Sequence, residues 1–407
     1  MLFINYYKKL ESFLDEEINR SLRKFLIFFL FLGLFVLLIV SFDKSTIPKC
    51  YQLYTSDWLI NYSGGFVRRG LLGSFILKIA QLTSLKPALV VAIFKILSYS
   101  AIYLSAIYLI IKAKYFKNVH IFLFLYQTTY IFPLLDFRGG GRKEILLLAL
   151  FSLFSLLNKE NLSRTLMCLL SVLLLALSFA HDALFWFYPL VLLCLQTILP
   201  HGNLSIKTCF FILLPSILST GLILNFGTKM SPESLDLMTK AIDPENYKLW
   251  AWPISYVTWD FNTQATNFLK NFDNYSVINL LFTLFLAFIP FGIAAKIDNH
   301  SIYKNNKFLY TLCACLLFQA PLILAKDWGR WIYVDATILS LTYLITLNKV
   351  NKIHIKYSAK QAVESYKKTG VIILLLLVFL FSWRMKHCCA STFELTLLNH
   401  LNWLSRL

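Results

Sequence analysis

The feature that most constrains this chain is the recurrence of apolar blocks along nearly its whole length. They lie near 25–42, 88–111, 119–135, 145–157, 165–180, 184–199, 208–226, 276–295, 308–325, 331–348 and 369–385. Hydrocarbon offers no water to exposed amides and carbonyls, so such blocks persist as helices, which close their own backbone hydrogen bonds. The pattern predicts an all-α, polytopic transmembrane bundle of about eleven spans. Several windows are shorter than the roughly 20 residues needed to cross about 30 Å of hydrocarbon, and these are expected to pair as hairpins or to stop at an internal cavity. No internal repeat or soluble domain boundary interrupts the pattern, so residues 1–407 read as one integral membrane domain.

Composition points the same way. The chain is 58% hydrophobic and 15% charged, whereas soluble domains carry about 25% charged residues. A net charge of +18 raises the question of nucleic acid. The Lys and Arg residues, however, stand in short runs between apolar blocks, a placement that suits anionic lipid headgroups and topology control. No nucleic-acid partner is expected; membrane lipids are. Of the eight cysteines, Cys168, Cys194, Cys209, Cys313 and Cys315 lie in apolar stretches, while Cys50 and Cys388-Cys389 fall in polar flanks. No CxxC or Cys/His metal spacing appears, and neither a metal nor a cofactor is expected. The polar lead to Lys24 and the long run Phe25–Val40, with no small-residue cleavage site after it, read as a retained first span.

An inside N-terminus gives the cytoplasmic segments 20 Lys and Arg against 18 outside, or 20 against 8 once the long segments 43–87 and 227–275 are set aside. Short loops weigh most in topology, so both long segments are expected on the external face and are the candidate active-site loops.

In that orientation the charged clusters near span ends share one face. Asp57 precedes Gly64-Gly65 and Arg68-Arg69-Gly70; Asp136-Phe137-Arg138-Gly139-Gly140-Gly141-Arg142-Lys143-Glu144 leads into an apolar helix; His181-Asp182 separates two apolar runs; and Asp327 stands near Gly329-Arg330. The long loop adds Trp250, Trp252, Trp259 and Asp260. Boundary charges also have a plain reading, since Lys and Arg snorkel and Trp and Tyr form interfacial belts. The recurrence of Asp near Arg beside Gly shifts the balance, because glycine admits close backbone approach and guanidinium forks match phosphate oxygens. Residues 139–142 predict free backbone N–H groups and a positive helix end, an anion site, though not a Walker A loop. Residues 70–82 are apolar but too short to span and predict an interfacial helix. Asp57, without a second carboxylate beside it in sequence, is placed to act as a general base on a sugar hydroxyl.

A first span followed by a long external loop with an acid and an interfacial helix resembles the GT-C class of polytopic glycosyltransferases, with Asp57 at the acid position. The span count and Arg-bearing external loops also look like bacterial O-antigen and capsule repeat-unit polymerases. The paired Asp-Glu of many GT-C loops is absent, since Asp57 is followed by Trp58. The resemblance implies an inverting, metal-independent transferase that polymerises undecaprenyl-diphosphate-linked oligosaccharides on the periplasmic face of the inner membrane, as in lipopolysaccharide assembly. Donor and acceptor would both be lipid-linked, with a chain-length regulator protein as a further partner. Asp57 would take the proton. Arg68, Arg69, Arg138, Arg142 and Arg330 would hold the diphosphate, with Asp136, Lys143, Glu144, His181, Asp182 and Asp327 as further substrate-binding candidates. Two rivals stay open: transfer of one sugar from a polyprenyl monophosphate, and a lipid-glycan or solute transporter. Transporters tend to carry mid-span charges and repeats, and the chain has few of the former, Lys95 and Asp335.

Overall fold

The computed structural model describes residues 20–46, 55–113, 116–157, 163–199, 205–227, 230–243, 254–258, 274–297, 305–325, 327–349, 384–386 and 393–394, with positions 245, 263, 266, 270 and 302 besides. Most of the span expected at 369–385 lies outside these residues, as do Cys50, Trp250, Trp252, Trp259, Asp260, Lys326, Cys388 and Cys389.

The described residues are helical, apart from a two-residue antiparallel pair, β1 (Arg384–Met385) with β2 (Phe393–Glu394). In chain order the helices are α1 (Arg20–Thr46), α2 (Gly70–Thr83), α3 (Pro87–Lys112), α4 (Asn118–Phe124), α5 (Phe132–Leu135), α6 (Phe137–Gly140), α7 (Glu144–Ser155), α8 (Arg164–Ala180), α9 (Tyr188–Ile198), α10 (Ile206–Phe226), α11 (Pro232–Ile242), α12 (Asn274–Ile297), α13 (Asn306–Phe318) and α14 (Trp328–Lys349). Short 3-10 turns at Ser56–Leu59, Asp182–Phe187 and Ala320–Ala325 join or extend them.

Among the described residues, four helices are long and apolar enough to cross a membrane: Ser21–Asp43, Pro87–Lys112, Ile206–Phe226 and Val277–Lys296. Their outer faces carry Phe28, Phe35, Phe211, Leu218, Ile278 and Phe285, all more than half exposed. Water would penalise such faces at about 25 cal/mol per Å², whereas lipid solvates them. Of the other expected windows, 331–348 lies within the unbroken 22-residue α14 and 165–180 within α8, whereas 119–135, 145–157, 184–199 and 308–325 fold as shorter or broken helices. Thus α7 and α13 have 12 and 13 residues, or about 18–20 Å at 1.5 Å per residue. The window at 119–135 breaks into α4, a turn and α5, with the polar run Tyr126-Gln127-Thr128-Thr129-Tyr130 buried in the break.

Packing proceeds from α1 onto α3, α3 onto α7, α7 onto α14 and α14 onto α9, with α8 against α10 to one side. Helix α14 is the buried centre. Its Ser340 and Thr342 hydroxyls satisfy themselves on the carbonyls of Thr337 and Ile338, at 2.9 and 2.8 Å. Asp335 accepts from Gln319 Nε2 at 2.9 Å. This alternation carries the ends of α1 and α8 and the starts of α2, α7 and α14 to the same end of the bundle, called here the charged end.

Candidate functional site

At the charged end the first loop is anchored by its aromatic residue. Trp58 is fully buried, and its Nε1 donates to Gly141 O at 2.9 Å. Lys95, from α3, lies over the Trp58 ring at 5.6 Å. Helix α2 is laid against this loop through glycine: a Cβ at Gly73 would meet Ile60 O at 2.0 Å. The part of segment 227–275 that is described closes the other side. Asn61 Nδ2 donates to Met238 O of α11 at 3.1 Å, and Arg68 Nε to Val257 O at 3.1 Å.

This scaffold brings four clusters, far apart in sequence, into one buried network. Asp57 is 1% exposed, with Arg69 Nη1 at 3.7 Å from Oδ1 and Arg142 Nη1 at 3.8 Å from Oδ2. Arg69 Nε donates to Asp182 Oδ1 at 2.6 Å, and Arg68 Nη1 is 3.5 Å from Asp182 Oδ2. Lys143 Nζ donates to Arg69 O and to Ala180 O, both at 3.0 Å. Arg330 Nη1 stands 2.9 Å from Glu144 Oε1, His181 Nε2 is 3.5 Å from that oxygen, and Arg330 also pairs with Asp327. Arg69 holds φ at 68°, a left-handed conformation that costs an L-residue about 1–2 kcal/mol. Its Asp182 and Lys143 contacts hold it there.

The electrostatics favour an anionic ligand. Arg68, Arg69, Arg142, Lys143 and Arg330 face Asp57, Glu144, Asp182 and Asp327, with Lys95 beneath. Burial opposes the charge on Asp57, yet Lys143, Arg142 and Arg69 outweigh it and hold the carboxyl well below the usual carboxylate range. Asp182 is likewise depressed against its burial, by Arg69 and Arg68. Burial lowers the Lys143 ammonium to about 8, with Asp57 opposing. Burial, helped by Arg69, drives His181 well below its ordinary range, so the ring is neutral. Among the described residues no three His, Cys, Asp or Glu side chains are placed to hold a metal ion.

Several expectations are corrected. The Gly139–Gly141 amides are not free: they donate to Asp136 Oδ1, Asp136 O and Phe137 O at 2.9, 2.8 and 3.0 Å. Gly140 is needed for packing, since a Cβ there would meet Pro133 Cα at 2.5 Å. The glycine amides therefore offer no backbone anion site, and Asp136 caps α6 through the Gly139 amide. Arg138 is exposed on α6 and makes no ion pair with the cluster among the described residues. Asp57, alone in sequence, shares its cations with Asp182 and lies in the field of Glu144. Lys95 is not an isolated mid-span charge but part of this network, a placement that its spacing in an apolar run gave no means to foresee.

The fold and site thus define a helical protein with membrane-spanning character and a buried, cation-rich cluster at one end. No known protein family, curated protein or solved structure matches the chain.

Proposed function

We propose that the chain is a membrane glycosyltransferase that polymerises or transfers undecaprenyl-diphosphate-linked oligosaccharides on the external face of a bacterial inner membrane. The observation that carries this reading is the convergence of Asp57, Arg69, Arg142, Lys143 and Asp182 into one buried network, three cations with two carboxylates. Arg69, Arg142 and Lys143 hold the diphosphate and stabilise the charge that develops as it departs from the anomeric carbon, ordinarily the largest catalytic contribution. Asp57 accepts the proton of the attacking hydroxyl. Facing Lys143, Arg142 and Arg69, the carboxylate is a weak base. A bound diphosphate engages those guanidiniums and adds negative charge nearby, which raises the carboxylate's proton affinity when the substrate is in place.

The test is reconstitution of the purified chain with an undecaprenyl-diphosphate-linked oligosaccharide. Longer lipid-linked glycan is the expected product. A folded chain that binds the lipid but never lengthens or transfers the glycan contradicts the proposal.

A further inference from the structure

Beside Asp57 the network holds a second group of buried polar atoms that a diphosphate does not use. Glu144 is 2% exposed, Arg330 4%, Trp331 5% and His181 0%. Glu144 Oε2, Arg330 Nε and Trp331 Nε1 make no hydrogen bond. Glu144 Oε1 forms an ion pair with Arg330 Nη1 at 2.9 Å and lies 3.5 Å from Nε2 of the neutral His181, in neither case with hydrogen-bond geometry. The tautomer of His181 follows from its other nitrogen: Nδ1 accepts from the Ala183 amide at 3.3 Å, so in the neutral ring the proton sits on Nε2. The patch sets donors on His181 and Arg330 against a carboxylate, with the Arg330 guanidinium 4.8 Å over the ring of Trp331, which carries a further donor. Trp331 packs against Phe187 and His181, with ring centroids 5.7 and 6.3 Å apart.

An unsatisfied buried polar group costs about 1–3 kcal/mol, and native structures leave few of them. Glu144 Oε2, Arg330 Nε and Trp331 Nε1 are three such atoms in one patch, and together they call for a ligand that both gives and takes hydrogen bonds. An anion would satisfy the donors and be repelled by Glu144; a cation would do the reverse. Vicinal hydroxyl groups do both, donating to Glu144 and accepting from the N–H groups around it. We infer that Glu144, His181, Arg330 and Trp331 form a subsite for the hydroxyls of an uncharged sugar ring, set beside the cationic lobe that takes the diphosphate. This rests on the glycosyltransferase reading, and it adds Trp331 as a specificity residue.

The experiment compares affinities of the full chain in lipid nanodiscs for undecaprenyl diphosphate and for undecaprenyl diphosphate carrying N-acetylglucosamine. The wild type is expected to favour the glycosylated lipid. Glu144→Gln and Trp331→Phe should each reduce that preference about 3- to 10-fold, the worth of one buried hydrogen bond. Trp331→Phe keeps an aromatic ring and deletes an N–H that no described residue accepts, so it stands in should Glu144→Gln fail to fold. A preference unchanged in folded variants overturns the subsite and leaves these atoms to water. A wild type that binds both lipids equally overturns the subsite alone; one that binds neither overturns the proposed function with it.

Discussion

The two ends of the bundle hold their polar side chains in opposite ways. At the end where α3 stops, Arg23 of α1 donates to Ile110 O at 3.0 Å and also to Ala113 O, occupying carbonyls that the helix terminus leaves free. Nearby His120 is bonded at both nitrogens, by the Lys117 amide at 2.9 Å and the Tyr343 hydroxyl at 3.2 Å. At the charged end, Glu144, His181, Arg330 and Trp331 keep buried atoms without hydrogen bonds, and Arg69 sits in a conformation that favours glycine. Around Arg23 and His120 the hydrogen bonds close within the protein, with Asn118 Oδ1 the exception there, whereas the charged end leaves several such atoms together and holds Arg69 in a strained conformation. That is the pattern of a scaffold at one end and a ligand site at the other.

The contrast is broken or sharpened by substitutions at both ends. The largest effect is expected from Asp57→Asn, which removes the charge and keeps the size. Loss of a general base costs about 10²–10⁴ in rate, seen as shortened glycans at near wild-type membrane abundance. Normal chain length at normal abundance removes Asp57 from the mechanism. Next, Arg142→Ala should weaken use of the diphosphate-linked substrate about 10- to 100-fold, the worth of a charge-assisted hydrogen bond. Arg142→Lys should recover only part of it because the planar fork is lost. Activity equal to wild type in the alanine variant confines Arg142 to pairing with Asp57.

At the opposite end Arg23→Ala should lower thermal stability by about 1–3 kcal/mol and leave turnover per folded molecule unchanged. A turnover defect there erases the distinction between the ends. The smallest effect is in pH dependence. His181 is neutral and depressed in the fold, so the unfolded chain binds its proton more readily, and stability should fall as pH drops below about 6.5. The depressed carboxyls of Asp57 and Asp182 add a separate loss below about pH 4. Thermal unfolding of His181→Gln between pH 8 and 3 should lack the first step and keep the second.

Much of the fold was legible because apolar runs bounded by polar segments leave a chain in lipid few choices but helices. Breaks were harder to see. The buried polar run from Tyr126 to Tyr130, followed by Pro133, was a visible signal that the 119–135 window would not form one helix, but its hydropathy masked it. The charged end was legible as four separate clusters, each containing residues that now meet: Asp57 with Arg69 and Arg142, Lys143 with the Arg69 carbonyl, Arg69 with Asp182, Glu144 with Arg330. Their pairing was not, because it depends on which helices alternate across the bundle. Spacing alone also could not show that the glycine amides at 139–141 serve Asp136 and Phe137, or that Lys95 lies over Trp58.

The central claim is that the charged end, and not the Arg23 end, receives the lipid-linked substrate. Photocrosslinking tests it directly, with an undecaprenyl diphosphate glycan carrying a photoreactive group beside the diphosphate and adducts mapped by mass spectrometry. The expected adducts fall within residues 55–70, 136–144 or 327–331 and are competed by unlabelled lipid. Competed adducts at residues 20–26 or 110–124 instead would contradict the account.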